Sequence, residues 1–235
     1  MRSSLASAPL ITLDSVDSTQ NHAANLLKQG QPVGAVLALQ QTAGRGRFGR
    51  AWHSPPGECL AVSLVFSDYA NHHKPYLIGM ALAVACAKAF EAQVQWPNDI
   101  VFGNRKLGGI LTELMPNAQG HQVPVVGVGL NLNQNDFPEE ISEIATSMLR
   151  ELKTAVEPIA ALENILDSFC SLPEVTTWRD LEPHWLPLDA TPGKRYRLQD
   201  GRSSTALRIG AEGELIALVE GHEEHILAAD AMLPQ

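Results

Sequence analysis

Short apolar runs and helically spaced apolar positions follow one another along the chain up to residue 185. Runs bounded by Gly, Pro or Asp are typical of buried strands, and they occupy residues 10–13, 34–40, 59–66, 94–96, 100–102, 107–114 and 123–133. Apolar residues spaced three or four apart predict helices over residues 19–29, 75–90, 155–172 and 174–185. The pattern therefore predicts a sheet combined with several helices.

The pattern changes after residue 186. A proline-containing segment, 187–193, separates the helices from four short alternating runs at residues 195–199, 203–209, 214–219 and 225–227. Turn dipeptides (Asp200-Gly201 and Glu212-Gly213) join some of these runs. We therefore predict two domains, residues 1–186 and residues 187–235, and we expect the second to be a small β-barrel.

Composition excludes several classes of protein. The 235 residues carry 17 Lys+Arg against 26 Asp+Glu, a net charge of −9, which argues against a broad nucleic-acid-binding surface. No apolar run is long enough to span a bilayer, and the first nine residues lack the apolar stretch of a secretory signal. The three cysteines have no metal-binding spacing, so we expect reduced thiols and a cytoplasmic protein.

Positive charge is concentrated in one segment, 41–52, which reads QTAGRGRFGRAW. Its glycines let the backbone approach a ligand closely, and its arginines offer planar donor forks to carboxylate or phosphate oxygens. We interpret the segment as a cradle for a small polyanion, with a solvated surface loop as the alternative. The segment also matches GxGxxG, but Pro55 and Pro56 prevent the helix that a dinucleotide site requires.

Four further segments place polar or small residues at the ends of predicted strands and helices. They are DSTQ at 17–20, WPND at 96–99, RKLGG at 105–109 and GVGLNLN at 127–133. Each has an ordinary explanation when it is taken alone: a helix cap, a turn, a solvated lysine or a strand packed against a helix. Glycines inside a strand, however, also indicate that something approaches the backbone closely.

Taken together, these segments resemble biotin–protein ligases, the biotin–[acetyl-CoA-carboxylase] ligase family. The resemblance covers about residues 10–233, includes ATSM at 145–148, and is most specific in the arginine loop. It implies an α+β fold in which a mixed or antiparallel sheet is flanked by helices, of the class II synthetase-like, biotin/lipoate ligase type. It also implies a small C-terminal SH3-like β-barrel after the catalytic biotin- and ATP-binding domain.

The resemblance implies an ATP-dependent ligase. Such an enzyme activates biotin as biotinyl-5'-AMP, with Mg²⁺ accompanying ATP, and then transfers biotin to a lysine of a biotin carboxyl carrier protein. We expect no protein-held metal, no membrane, no nucleic acid, and a monomer or homodimer. About nine residues precede the first predicted strand, so the sequence resembles the form without an N-terminal DNA-binding domain.

The resemblance also assigns roles to individual residues. The implied catalytic residues are Lys106, Arg45 and Arg47. The implied biotin-binding residues are Ser18, Thr19, Gln20, Gln41, Gly44, Arg45, Gly46, Arg47, Lys106, Gly108 and Gly109. The implied ATP-binding residues are Arg47, Arg50, Trp52, Asn98 and Asn131.

One departure keeps two alternatives open. Members of the family usually carry lysine immediately before the WPND segment, whereas this chain has Gln95. The first alternative is a lipoate or octanoate transferase of related fold. The second is a non-catalytic biotin- or biotinyl-adenylate-binding protein, which the loss of a cation near the nucleotide would suit.

Overall fold

The computed structural model describes residues 8–228 and 231–234, and it contains two sheets. The strands of the larger sheet are β1 (Leu10–Leu13), β2 (Ala35–Ala38), β3 (Cys59–Val65), β4 (Gln93–Gln95), β5 (Asp99–Phe102), β6 (Arg105–Pro116) and β7 (Gln122–Asn131). The helices are α1 (Thr19–Lys28), α2 (Tyr76–Ala89), α3 (Met148–Leu152), α4 (Pro158–Ser171) and α5 (Trp178–Trp185).

The larger sheet is mixed, with the order β1-β2-β3-β7-β6-β5-β4. Only its β1–β2 pair is parallel, and the other pairs are antiparallel. The two longest strands, β6 and β7, pair in a hairpin over residues 108–130 at the centre of the sheet. This hairpin forms the floor on which the candidate site is built.

Helix α2 covers one face of the sheet. Its residues from Leu77 to Ala87 are all buried, because β6 lies on one side of the helix and α4 and α5 lie on the other. A helix that is apolar all round is expected in such a position. Gly79 allows the close approach, since a Cβ there would lie 2.2 Å from the Thr112 hydroxyl of β6. The opposite face of β6 and β7 is left for α1 and the arginine loop.

The smaller sheet is antiparallel and has five strands in the order β11-β10-β9-β8-β12. Its strands are β8 (Arg195–Leu198), β9 (Ser203–Ile209), β10 (Leu215–Val219), β11 (His222–Ile226) and β12 (Ala231–Pro234). Its buried side chains belong to the same hydrophobic core as those of the larger sheet. The two sheets therefore pack directly against each other.

The predicted fold class is confirmed, with corrections to several elements. The predicted starts of the two C-terminal helices, at 155 and 174, are wrong. Helix α4 begins at Pro158, and α5 begins after a capping box formed by Thr177 and Asp180. Helix α3 and strand β12 were not predicted. None of the helices between residues 8 and 228 is long and apolar enough to cross a membrane.

The division into domains 1–186 and 187–235 remains a prediction. Residues 1–7 of the first predicted domain, and residues 229, 230 and 235 of the second, lie outside the described residues.

Candidate active site

The predicted site residues collect on the face of β6 and β7 that lies opposite α2. Ile110 and Thr112 point toward α2, so the alternation of a strand directs Gly109 and Glu113 to the other face. Helix α1 packs on that face. The arginine loop also reaches it, because the Arg45 guanidinium contacts the Glu113 carboxylate.

Two glycines of β7 make this face shallow. A Cβ on Gly129 would lie 2.7 Å from the Trp52 ring, and a Cβ on Gly127 would lie 3.4 Å from the Gln20 side chain. The two positions are separated by one residue, so their missing side chains would project from the same face. The face therefore has a polar end beside Gln20 and an indole end beside Trp52.

A hydrogen-bonded chain of side chains builds the polar end. The Thr19 backbone N–H and hydroxyl both donate to Gln41 Oε1, at 2.9 and 3.1 Å, and the Ser63 hydroxyl donates to Thr19 Oγ1 at 2.8 Å. Ser18 occupies the N-cap position, but its side chain makes no capping bond. Ser18 and Thr19 are both buried beside the face. Helix capping, the commoner use of such residues, is therefore not what these side chains do.

The side-chain amide of Gln20 is hydrogen-bonded through its nitrogen but, within the described chain, not through its oxygen. Its Nε2 donates to Glu113 Oε2 at 2.9 Å, with longer contacts to backbone carbonyls of Leu111 and Val125. Its Oε1 is buried and has no hydrogen-bond partner in the part of the chain that the structure describes. Buried carbonyl oxygens are rarely left unpaired, so this atom is suited to accept a donor from a ligand.

The arginine loop is folded as a tight hairpin. Arg45 and Ala51 form a β-bridge, the Gly46 N–H donates to the Arg50 carbonyl at 2.8 Å, and the Trp52 N–H donates to the Gly44 carbonyl at the same distance. The tip is a 3₁₀ turn, Arg47–Gly49, with positive φ at its last two residues. Arg50 is half-buried at the base of this turn.

The first two loop arginines lie against different parts of the site. Arg45 donates to Asn21 Oδ1 of α1 and, at 2.9 Å, to Glu113 Oε2 of β6. Arg47 donates to the Asn98 side-chain oxygen at 3.4 Å and to the Ala228 carbonyl in the turn after β11. Burial lowers the pKa of the Arg47 guanidinium, although the nearby Asp99 charge acts in the opposite direction.

Lys106 lies beside Gly109 of β6, which pairs with Gly129 at the indole end of the face. Its ammonium contacts Asp99 Oδ1 at 2.6 Å, and a Cβ on Gly109 would lie 3.4 Å from Nζ. Gly109 therefore leaves room beside the ammonium. Gly108 has a structural reason to be glycine, because a Cβ there would lie 2.3 Å from the Gly129 carbonyl oxygen. Lys106 belongs to strand β6 and not to the preceding turn, where it was predicted.

Asn131 is buried and its amide is already used. Nδ2 donates to the Thr146 carbonyl at 3.0 Å, and Oδ1 accepts from Gln134 Nε2 at 3.0 Å. The Trp52 indole N–H, by contrast, is buried without a hydrogen-bond partner among the described residues. The indole end therefore offers a free donor at Trp52, whereas Asn131 holds the 146 segment in place.

Three residues of the site were not predicted from the sequence: Asn21, Asp99 and Glu113. Asp99 was expected only to stabilise its turn, but its carboxylate instead pairs with Lys106. Glu113 and Asn21 together hold Arg45. Asp99 ends the WPND segment, Glu113 lies seven positions after Lys106 on the same strand, and Asn21 directly follows DSTQ. Their closeness in sequence to the recognised segments could therefore have indicated that they belong to the site. The side chains with which they pair were not evident from the sequence.

Comparisons with known proteins show the family of this chain. Residues 12–131, about half of the chain, match the Biotin/lipoate A/B protein ligase family. The chain is 35% identical over 169 residues to the bifunctional ligase/repressor BirA of Bacillus spizizenii, covering 68% of this chain and 52% of that protein. It is 32% identical over 164 residues to the biotin–[acetyl-CoA-carboxylase] ligase of Paracoccus denitrificans, covering 65% and 68%. The chain thus spans about half the length of the first curated relatives it matches.

The fold is also similar to that of solved structures. The biotin protein ligase from Aquifex aeolicus in complex with biotin and ATP superposes with a TM-score of 0.73 at 26% identity, covering 95% of this chain and 97% of that one. The match to the family model, over residues 12–131, includes the DSTQ, arginine-loop, WPND and β6 segments that form the site. On these grounds the chain belongs to the Biotin/lipoate A/B protein ligase family.

Proposed function

We propose that the chain is an ATP-dependent biotin–protein ligase, which forms biotinyl-5'-AMP and transfers biotin to a lysine of a biotin carboxyl carrier protein. The observation that carries the proposal is the placement of three cations, Lys106, Arg45 and Arg47, along a glycine-floored face with one polar and one indole end. Such a face suits a ligand that is polar at its far end and anionic in the middle.

The polar end would hold the ureido ring of biotin. Thr19 and Gln41 already form a fixed pair there, and the unpaired Gln20 Oε1 would accept an N–H of the ring. The chain of biotin would then lie along β6 past Gly109, with its carboxylate beside the Lys106 ammonium. The residues proposed to bind biotin are Ser18, Thr19, Gln20, Gln41, Gly44, Arg45, Gly46, Arg47, Lys106, Gly108 and Gly109.

In the first step, the biotin carboxylate would attack the α-phosphate of ATP, so that a carboxyl–phosphate anhydride forms and the bond to pyrophosphate breaks. The reaction brings an anion against a polyanion, and preorganised cations offset this repulsion. Lys106, Arg45 and Arg47 would supply that charge. The described residues contain no group of three His, Cys, Asp or Glu side chains placed to hold a metal, so magnesium is expected to arrive with the triphosphate.

The nucleotide would occupy the indole end. Trp52 would stack near the adenine, and Arg47, Arg50 and Asn98 would contact the ribose–phosphate portion. Asn131 would act indirectly, because both ends of its amide are bonded to the protein.

In the second step, an acceptor lysine amine would attack the anhydride carbonyl, forming an amide and releasing AMP. The anhydride is sensitive to water, so the loop of residues 41–52 must exclude solvent between the two steps. We place the reaction in the cytoplasm because it consumes ATP.

The proposal is tested by incubating the protein with ATP, Mg²⁺, biotin and a biotin carboxyl carrier domain, and measuring the intact mass of that domain. We expect a gain of one biotinyl group that depends on ATP, and no gain when lipoate or octanoate replaces biotin. Modification with lipoate or octanoate alone would indicate a transferase of related fold. Tight binding of biotinyl-5'-AMP without transfer would indicate a non-catalytic binding protein.

A further inference from the structure

The polar groups of Trp96 are all bonded to the C-terminal part of the chain. The Trp96 backbone N–H donates to Thr191 Oγ1 at 2.9 Å, and its indole N–H donates to the Gly213 carbonyl at 3.0 Å. Its carbonyl accepts a 2.6 Å hydrogen bond from the Tyr196 hydroxyl. Trp96 is 1% exposed, and its ring meets the Tyr196 ring edge-on at 5.9 Å. The turn that follows Trp96 is therefore held from the C-terminal side.

That turn carries two residues of the candidate site. Asn98 and Asp99 follow Trp96 by two and three positions, and they hold Arg47 and Lys106 respectively. The turn thus connects the hydrogen bonds of Trp96 to two of the proposed catalytic cations, Arg47 and Lys106. A shift of the Trp96 backbone would be transmitted directly to both cations, because only one or two residues intervene.

Tyr196 is suited to a permanent role in this anchor. It is fully buried, and burial together with the nearby Asp99 and Asp189 charges raises the pKa of its phenol well above the ordinary value. The hydroxyl therefore stays protonated and remains a donor to the Trp96 carbonyl throughout the working pH range. The amide of Gln95, at the position where the family usually has lysine, also hydrogen-bonds this hydroxyl.

The polar end of the face, unlike the turn at 96–99, is not held by the C-terminal part of the chain that the structure describes. Thr19, Gln20 and Gln41 take their hydrogen bonds from α1, β3 and the β6–β7 hairpin. These contacts do not pass through the turn at 96–99. A disturbance of the Trp96 anchor should therefore affect the nucleotide end and leave the hydrogen bonds of the polar end unchanged.

We propose that Tyr196 and Thr191 of the C-terminal part are positioning residues for the ATP end of the site, acting through the Trp96 backbone on Asn98 and Asp99. This inference rests on the proposed function.

The test compares substitutions that remove one anchoring group. Tyr196→Phe removes the hydroxyl alone, and Thr191→Val removes the acceptor while keeping the side-chain shape. Thr191→Ser keeps the acceptor and should restore the wild-type behaviour. Ser204→Ala is the matched control, since Ser204 is also buried in the C-terminal sheet but bonds the Tyr196 carbonyl, away from the turn.

The measurement is biotin-dependent ATP–pyrophosphate exchange, with KM determined separately for ATP and for biotin and with thermal unfolding of each variant. We expect Tyr196→Phe and Thr191→Val to raise KM for ATP about threefold to tenfold, the effect of one lost hydrogen bond, and to lower kcat. KM for biotin should rise less than KM for ATP, because the polar end is held independently of the turn, and Ser204→Ala should change neither constant.

Two results would overturn the inference. One is wild-type KM for ATP and wild-type kcat in folded Thr191→Val, which remains informative even if Tyr196→Phe does not fold. The other is an equal rise in both KM values that Ser204→Ala reproduces, since that would indicate a general loosening of the structure.

If the wild-type protein shows no exchange, the proposed function fails. Calorimetric binding of α,β-methylene-ATP with Mg²⁺ then tests the anchor by itself, and equal affinity in all variants would contradict it.

Discussion

At the scale of single residues, two of the proposed catalytic cations are each held by one carboxylate. Lys106 pairs with Asp99, and Arg45 pairs with Glu113. The exposed fractions of the Lys106 and Asp99 side chains are 38% and 12%, so the ammonium is accessible while its carboxylate is sheltered. An arriving anion would meet a positive group whose position is already fixed, and little reorganisation would be required.

We expect Lys106→Ala to slow adenylate formation strongly without unfolding the protein. Loss of one preorganised donor costs about 10²–10³ in rate, whereas the pair is too exposed to contribute more than about 1 kcal/mol to stability. Lys106→Arg should restore only part of the rate, because a guanidinium is broader than an ammonium. The measurements are pyrophosphate release with biotin and ATP, and thermal unfolding of each variant.

The matched control for this substitution is Lys74→Ala. Lys74 is similarly exposed, at 35%, and it also pairs with a carboxylate, that of Glu212 in the turn between β9 and β10, which is not among the proposed site residues. It should retain full pyrophosphate release. A folded Lys106→Ala protein as active as Lys74→Ala would show that Lys106 has been assigned the wrong role.

At the scale of elements, strand β7 places one glycine at each end of the face. Gly127 lies against Gln20 at the polar end, and Gly129 lies against Trp52 at the indole end. Both strands of the β6–β7 hairpin are fully paired, so the backbone cannot easily move away from an added methyl group. The side chain on the other side of the contact must move instead.

We therefore expect Gly127→Ala to weaken the binding of biotin and Gly129→Ala to weaken the binding of ATP. Gly129→Ala should raise KM for ATP by at least about tenfold, because its Cβ would lie 2.7 Å from the Trp52 ring and the indole must shift. Gly127→Ala, with a 3.4 Å contact to Gln20, should raise KM for biotin by a smaller factor. Each variant serves as the control for the other in exchange kinetics. Equal effects on both substrates would contradict the division of the face.

The arginine loop is the second element with a testable property. The hairpin is closed by its own backbone hydrogen bonds, and Arg45 on Glu113 and Arg47 on Asn98 hold it against the site, while Phe48 at its tip is exposed. Segments with few buried apolar contacts open readily. A ligand that adds anionic oxygens between the arginines should keep the loop closed.

Trypsin should therefore cut after Arg45, Arg47 or Arg50 in the free protein, and much more slowly with biotin and ATP bound. Glu113→Gln should speed cutting in the free protein, because Arg45 loses its ion pair. Cutting after the exposed Lys153, outside the loop, provides the internal control. The expectation fails if the loop is cut at the same rate with and without ligand.

At the scale of the whole molecule, the protein is acidic, and two basic groups of the site, Arg45 and Lys106, are paired with carboxylates. The net charge of −9 repels the phosphates of DNA, whose binding by proteins depends on cationic contacts. The two sheets share one hydrophobic core, so the C-terminal part is fixed against the site.

We expect no specific binding of duplex DNA by this chain at physiological salt. Fluorescence anisotropy with a labelled duplex should give a dissociation constant no tighter than the non-specific range of about 10⁻⁴–10⁻⁶ M. The titration is repeated with biotin and ATP, since these ligands would reveal any coupling between the site and DNA. Tight binding that changes with biotin would refute the expectation.

The sequence by itself determined the local features of this protein. Strand and helix positions depend on short-range periodicity, so Leu10–Leu13, Ser203–Ile209 and most of the remaining strands were predicted to within a few residues. The helix starts at Pro158 and Trp178 were missed because capping depends on a few side chains whose partners are ambiguous in sequence. The arginine loop, Lys106 and the site glycines were also recognised locally, since their composition and order are unusual.

The tertiary structure alone decided which groups meet. Arg45 and Glu113 are 68 residues apart, and they come together only because the loop folds across the β6–β7 hairpin. Trp96 and Tyr196 are 100 residues apart, and their contact depends on how the two sheets pack. Pairings of this kind follow from the strand order, in which β7 lies between β3 and β6. Strand order is set by burial of the whole core, a property that no single segment of the sequence carries.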